Sequence, residues 1–316
     1  MVEFVLNDDD LTGLRFAVSP LNELTLSLRV LRDPGRYPLH LPWSRGVLRR
    51  ESELDTEILG ALVNDRGWTP DFLSPRPVSP FTRLADELDQ VRATPREVIR
   101  RDLHSIHATS PPDVDGNRIA DAMAGYWNLG LEPHWPRIRA VLENDIAHRG
   151  RSMVQHGLGT TLADISDRIT WDSPVIRVRI TGLAPRRVEV GGGGLTLLPT
   201  VFALHTAIPV DPTAPPMLIY AARGVGTLWE RPPATSPTAL VAVLGRVRTD
   251  LLVTLTEPAS STDLARRDGV TTSAVNQHLR ALRATGLVTS HRHGSRVLYQ
   301  RSDLGDALVL ASALPG

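Results

Sequence analysis

Thr271, Thr272, Ser273, Asn276, Gln277 and Arg280 lie within ten residues of one another, and their spacing places most of them on one side of a helix. The other side of that helix carries Val275, Leu279 and Leu282 at i, i+4 and i+7, the stripe of a core-facing surface. Short hydroxyls and amides of this kind pair with base edges, and arginine reaches guanine edges or phosphates. Further on, Arg292, His293, Ser295 and Arg296 crowd around Gly294 in a strand–turn–strand pattern. At the tip of such a ribbon they would meet flanking phosphates or the minor groove. The chemistry expected is recognition of double-stranded DNA, with no bond made or broken.

The elements that must hold these side chains can be read from the surrounding residues. Ser260 or Ser261 caps a short helix bearing Leu264 and Ala265, and Gly269 supplies a left-handed turn. Thr271 then caps the second helix, while small Ala265 allows the two to cross closely. Ala239–Leu255 reads as an apolar helix leading into this pair. The polar, proline-rich segment 231–238 is a connector that continues neither helix nor central strand.

Ahead of the connector, 1–170 reads as helical. Ser19-Pro20 opens a helix with a stripe of Leu21, Leu24, Leu28 and Leu31, and further patterns run near 52–65, 81–92, 95–107, 117–127 and 136–156. From Trp171 the period changes to that of strands, at 175–180, 186–190, 195–198, 201–208 and 217–221. The domains expected are therefore 1–230 for regulation and dimerisation (helical 1–170, strand-rich 171–230), a linker at 231–238, and a DNA-binding unit at 239–316. The fold class expected is α+β: a mainly helical N-terminal domain with a small antiparallel sheet, then a winged helix-turn-helix.

Composition narrows the function classes. There is no cysteine, so disulfides, thiolate metal sites and cysteine nucleophiles are excluded. All 35 basic residues are arginine and the net charge is zero, which excludes a uniformly basic coat. The excess of arginine over acids in 239–316 is balanced by an acidic excess in the rest. His104-x-x-His107 lacks the glutamate and the frame of a zinc protease helix, and Gly191–Gly194 lacks the Lys-Ser/Thr of a phosphate loop and reads as a hairpin turn. No enzyme, metal or cofactor is expected. The start MVEFVLNDDD is acidic where an export signal is basic and then apolar, so the location expected is cytoplasmic. All six tryptophans, Trp43, Trp68, Trp127, Trp135, Trp171 and Trp229, lie before the linker, where they would pack a core, line an apolar ligand pocket or form a dimer face.

The run Leu264-Ala-Arg-Arg, Gly269-Val-Thr, Val275, His278-Leu-Arg280, Leu282 and Gly286-Leu-Val, followed by Arg292, Gly294, Val297 and Tyr299, resembles the ArsR-type winged-helix regulators over about 75 residues. Segments 15–24, 39–43, 197–202 and 220–229 resemble the uncharacterised domain that precedes such heads in GC-rich bacteria. The resemblance implies a homodimeric transcriptional regulator, a repressor, on an inverted-repeat operator and controlled by a small-molecule effector in the first domain. The chain departs from the family's metal sensors, having no cysteine pair and no histidine beside Asp303 and Asp306.

Overall fold

The computed structural model describes residues 1–107, 111–229, 237–293 and 296–313, and the chain divides into two compact units, 1–229 and 230–316. Residues 231–236 of the expected linker lie outside the described residues, and Pro237 and Thr238 already belong to a helix.

The first unit runs β1 (Val2–Val5), α1 (Asp8–Thr12), β2 (Arg15–Phe16), α2 (Pro20–Arg32), α3 (Leu41–Leu48), α4 (Thr56–Ala61), α5 (Leu84–Arg92), α6 (Arg96–Ile106), α7 (Gly116–Tyr126) and α8 (Trp135–Ala163). It continues with β3 (Ile169–Asp172), β4 (Val175–Val178), β5 (Arg186–Glu189), β6 (Thr196–Thr200) and β7 (Met217–Ala221). The α+β class is as expected. The small, mainly antiparallel sheet expected is present, and the chain forms a second, parallel sheet as well. One sheet has the order β3-β4-β1-β5, antiparallel except that β5 runs parallel to β1; a second, β2-β6-β7, is parallel throughout. Strands β6 and β7 are buried almost throughout, as parallel strands covered on both faces must be. The segment 201–208, expected as a strand, is a series of bends with a single bridge from Ala207 to Ile219. Gly191–Gly194 is not a hairpin turn either, since it links β5 and β6 of different sheets. Its amides turn inward: Asp10 Oδ1 accepts from Gly192 N at 2.7 Å and from Gly194 N at 3.1 Å. Burial alone would raise the Asp10 carboxyl, but these amides, that of Asn7 and nearby Arg76 hold it below the usual range.

Helix α2 starts as its sequence dictates, with Ser19 Oγ accepting from Asn22 N at 3.0 Å and Pro20 in the first turn. It is buried on nearly every side, so its polar groups need internal partners. Leu21 N donates to Glu87 Oε2 at 2.8 Å, Thr25 Oγ1 to Leu73 O at 3.1 Å, and Ser27 Oγ lies 2.6 Å from Tyr126 Oη. Helix α8 breaks at Gly157 (φ 81°), beside the expected helix end at 156.

Glu23 of α2 is fully buried and forms no ion pair among the described residues; Oε2 accepts from Val201 N at 3.1 Å. Burial pushes its carboxyl up to about 8, against the opposing hydrogen bonds from Thr200 and Val201. The folded chain thus holds a proton that the unfolded chain releases around 4.5. The resulting stability is complete below that value and is lost as pH rises through about 8. Glu23→Gln should therefore flatten the fall in melting temperature over this range, and an unchanged slope in thermal melts would refute the assignment.

The second unit comprises α9 (Pro237–Leu244), α10 (Arg246–Thr254), β8 (Ala259–Ser260), α11 (Ser261–Asp268), α12 (Thr272–Ala284), β9 (Val288–His293), β10 (Arg296–Arg301) and α13 (Asp303–Ala313). The single helix expected over 239–255 is two, because Gly245 sits at φ 80°, ψ 151° between α9 and α10. Leu251, Leu252, Leu255, Leu264, Ala265, Val275, Leu279, Leu282, Leu287 and Val288 form its core. Strands β8, β10 and β9 make one antiparallel sheet in that order.

Candidate nucleic-acid interface

The helix-turn-helix is fixed by its caps. Ser260 Oγ accepts from Asp263 N at 3.2 Å to start α11. At its end Gly269 adopts φ 66°, ψ 27°, and Val270 N donates back to Ala265 O at 3.0 Å, closing a Schellman motif. Thr271 Oγ1 then accepts from Ala274 N at 3.3 Å and opens α12. Helix α12 ends by the same device: Gly286 is at φ 74° and Leu287 N donates to Leu282 O at 3.0 Å. Both ends of α12 and its angle to α11 are therefore set by local backbone chemistry. Val275, Leu279 and Leu282 turn into the core, as their spacing predicts.

The polar face divides into two rows. Ser273, Gln277 and Arg280 are exposed at i, i+4 and i+7 and form the outer ridge. Thr272 and Asn276 are half-buried along its flank, and the exposed Thr271 begins the helix. Asn276, Gln277 and Arg280 make no side-chain hydrogen bond or ion pair among the described residues, so their donors and acceptors face outward unspent. His278 is half-buried.

In the ribbon, Arg296 pairs with His293 and Val297 with Arg292. Arg292 is exposed; Gly294 and Ser295, between the strands, lie outside the described residues. The ribbon's base is anchored rather than free. Arg301 Nε lies 2.7 Å from Asp306 Oδ1 of α13, and Ser302 Oγ donates to Gly286 O at 2.6 Å. Sequence reasoning passed over Arg266 and Arg267 at the end of α11 and Arg283 of α12. All three are exposed and form no ion pair among the described residues. Their signal was present in the sequence: basic residues just before the turn glycine and on the outer side of the second helix.

The tryptophans of the first unit mostly pack its interior. Trp43 stacks on Trp229 with ring centroids 5.7 Å apart, both against Phe202, and Trp229 Nε1 donates to His40 Nδ1 at 2.8 Å. Burial holds His40 down at about 4, so it accepts that bond as a neutral ring. Trp127 packs on Trp135, and Trp171 on Gly159. Trp68 differs, for it lines a cavity. His104 and His107 do not share a helix face: His107 follows the end of α6 in extended backbone, its Nε2 2.7 Å from Ala61 O.

Residues 251–290 match the family model described as bacterial regulatory protein, arsR family, and residues 130–226 match a family of unknown function (DUF5937). No curated protein matches the chain. The second unit is thus an ArsR-type winged helix-turn-helix, and the chain carries the DNA-binding head of a transcription regulator behind a domain of unassigned role. Among the described residues, no helix is long and apolar enough to cross a membrane.

Proposed function

We propose that the chain is a homodimeric, sequence-specific repressor whose N-terminal unit controls the head by binding a small-molecule effector. The observation that carries the reading is the outward ridge of Ser273, Gln277 and Arg280 on a helix capped at both ends, with unspent hydrogen-bonding groups. In this account α12 enters the major groove. Thr271 and Thr272 meet phosphates at its N-terminus, Ser273, Asn276 and Gln277 read base edges, and Arg280 takes a guanine or a phosphate. The ribbon residues Arg292, His293, Ser295 and Arg296 would contact the flanking backbone or minor groove. Two heads on an inverted repeat would place their helices roughly 34 Å apart, one turn of DNA.

Exposed Val243, Val247 and Leu304, on α9, α10 and α13 of the head, support self-association, since these three helices pack together and still leave apolar side chains outside. Light scattering should return about twice the 34.6 kDa chain mass. Arg292→Ala tests the ribbon's placement. It should weaken binding to all DNA sequences and reduce the slope of log K against log salt by about 1. Gel shifts across a salt series check this; an unchanged slope removes the ribbon from the interface.

A further inference from the structure

The first unit carries a half-open cavity of about 350 Å³, between α2, the loop after α4, the segment after β4 and the bends before β7. Leu26, Trp68, Ile180, Ile208 and Ile219 give it apolar walls. Four arginines also line it: Arg29, Arg36, Arg66 and Arg168. None of the four pairs with a carboxylate among the described residues. The acid in the lining, Asp71, has both oxygens engaged, by Val210 N at 3.0 Å and Asp211 N at 2.6 Å. Asp33 and Asp167 lie near Tyr37 and His205 of the lining, and neither forms an ion pair.

Arg29 is the decisive residue. Its Nε is buried with no hydrogen-bond partner, and its guanidinium makes one long bond, from Nη2 to Thr69 Oγ1 at 3.3 Å. Thr206 Oγ1, also in the lining, is buried and unpartnered too. Burial draws the Arg29 guanidinium down to about 10, which leaves it charged at neutral pH. A cation held partly out of water without a counter-charge is costly, and its unsatisfied buried Nε adds to that cost. An anionic group seated in the cavity would supply the counter-charge that Arg29 lacks and an acceptor for Thr206, because a guanidinium fork matches carboxylate and phosphate geometry.

We infer that this cavity binds an organic anion, its carboxylate or phosphate held by Arg29, Thr206 and Arg168 and its flat apolar body lying along Trp68 and Ile208. The volume suits a small molecule rather than a bare ion. That such binding switches the head rests on the regulatory reading above; the binding itself does not.

Calorimetry and thermal shift on the full chain test this, with benzoate and phenyl phosphate as probes, inorganic phosphate for the charge alone and benzamide for the ring alone. At least one aromatic anion should bind and raise the melting temperature, benzamide should not, and inorganic phosphate should bind more weakly. Arg29→Met should melt no lower than the parent without ligand, because it removes an unpaired buried charge, and should bind the anion roughly tenfold or more weakly. Arg168→Gln, at the half-buried rim, should weaken binding with the fold intact. Failure of both aromatic anions to bind at millimolar concentration, or equal binding by the parent and both variants, overturns the site. Binding that leaves DNA affinity unchanged keeps the site and removes its role in switching.

Discussion

Gly194→Ala should destabilise the N-terminal unit by about 3–5 kcal/mol. A Cβ at this position would lie 2.2 Å from Gly13 O and 2.7 Å from Gly13 Cα, both backbone atoms that cannot rotate away. The residue also sits at φ +67°, where an L side chain is strained. Relief would pull Gly194 N off Asp10 Oδ1, leaving a buried carboxylate short of a donor. Gly192→Ala is the control. It shares a positive φ of +84° but has open space around its Cβ, so it should cost only about 1–2 kcal/mol. Urea unfolding followed by tryptophan fluorescence reads this unit alone, since all six tryptophans precede residue 230. Equal midpoints for the two variants would show that the close approach to Gly13 is not what the turn requires.

Asn276→Ala combined with Gln277→Ala should lower affinity for the specific site by about 2–6 kcal/mol, each bidentate amide contact being worth about 1–3. Neither side chain belongs to the core of the head and neither has an internal hydrogen bond among the described residues, so the melting temperature should not move. Affinity for unrelated DNA should also hold, because the arginines proposed to meet phosphates are untouched. Gel shifts with specific and scrambled duplexes separate these outcomes. Equal losses on both duplexes would place the two amides on the backbone rather than on base edges.

The head was legible in the sequence because its boundaries are local. Ser260, Gly269, Thr271 and Gly286 each act within a few residues, and the structure shows each doing what its chemistry requires. The break at Gly245 escaped because apolar periodicity continues across it, while the backbone turns on a φ that only glycine adopts readily. In the first unit, β1 was hidden for a different reason. Its partners, β4 and β5, lie more than 160 residues away, and no turn signal links them. The parallel sheet had the same obstacle, since parallel strands need long crossovers that leave no short-range mark. The arginine-lined cavity was beyond sequence reasoning altogether. Arg29, Arg36, Arg66 and Arg168 are four among 35 arginines, and only the fold sets them around one space. The tryptophans, a more visible signal, mostly pack interior surfaces instead.

In the function proposed above, α12 reads a particular DNA sequence. Genome-wide footprinting of the tagged protein, run beside the variant carrying Asn276→Ala and Gln277→Ala, tests it most directly. Discrete protected sites sharing an inverted repeat with half-sites about one helical turn apart are expected, present for the parent and lost for the variant. Protection spread without a shared sequence, or the same sites occupied by both proteins, would contradict it.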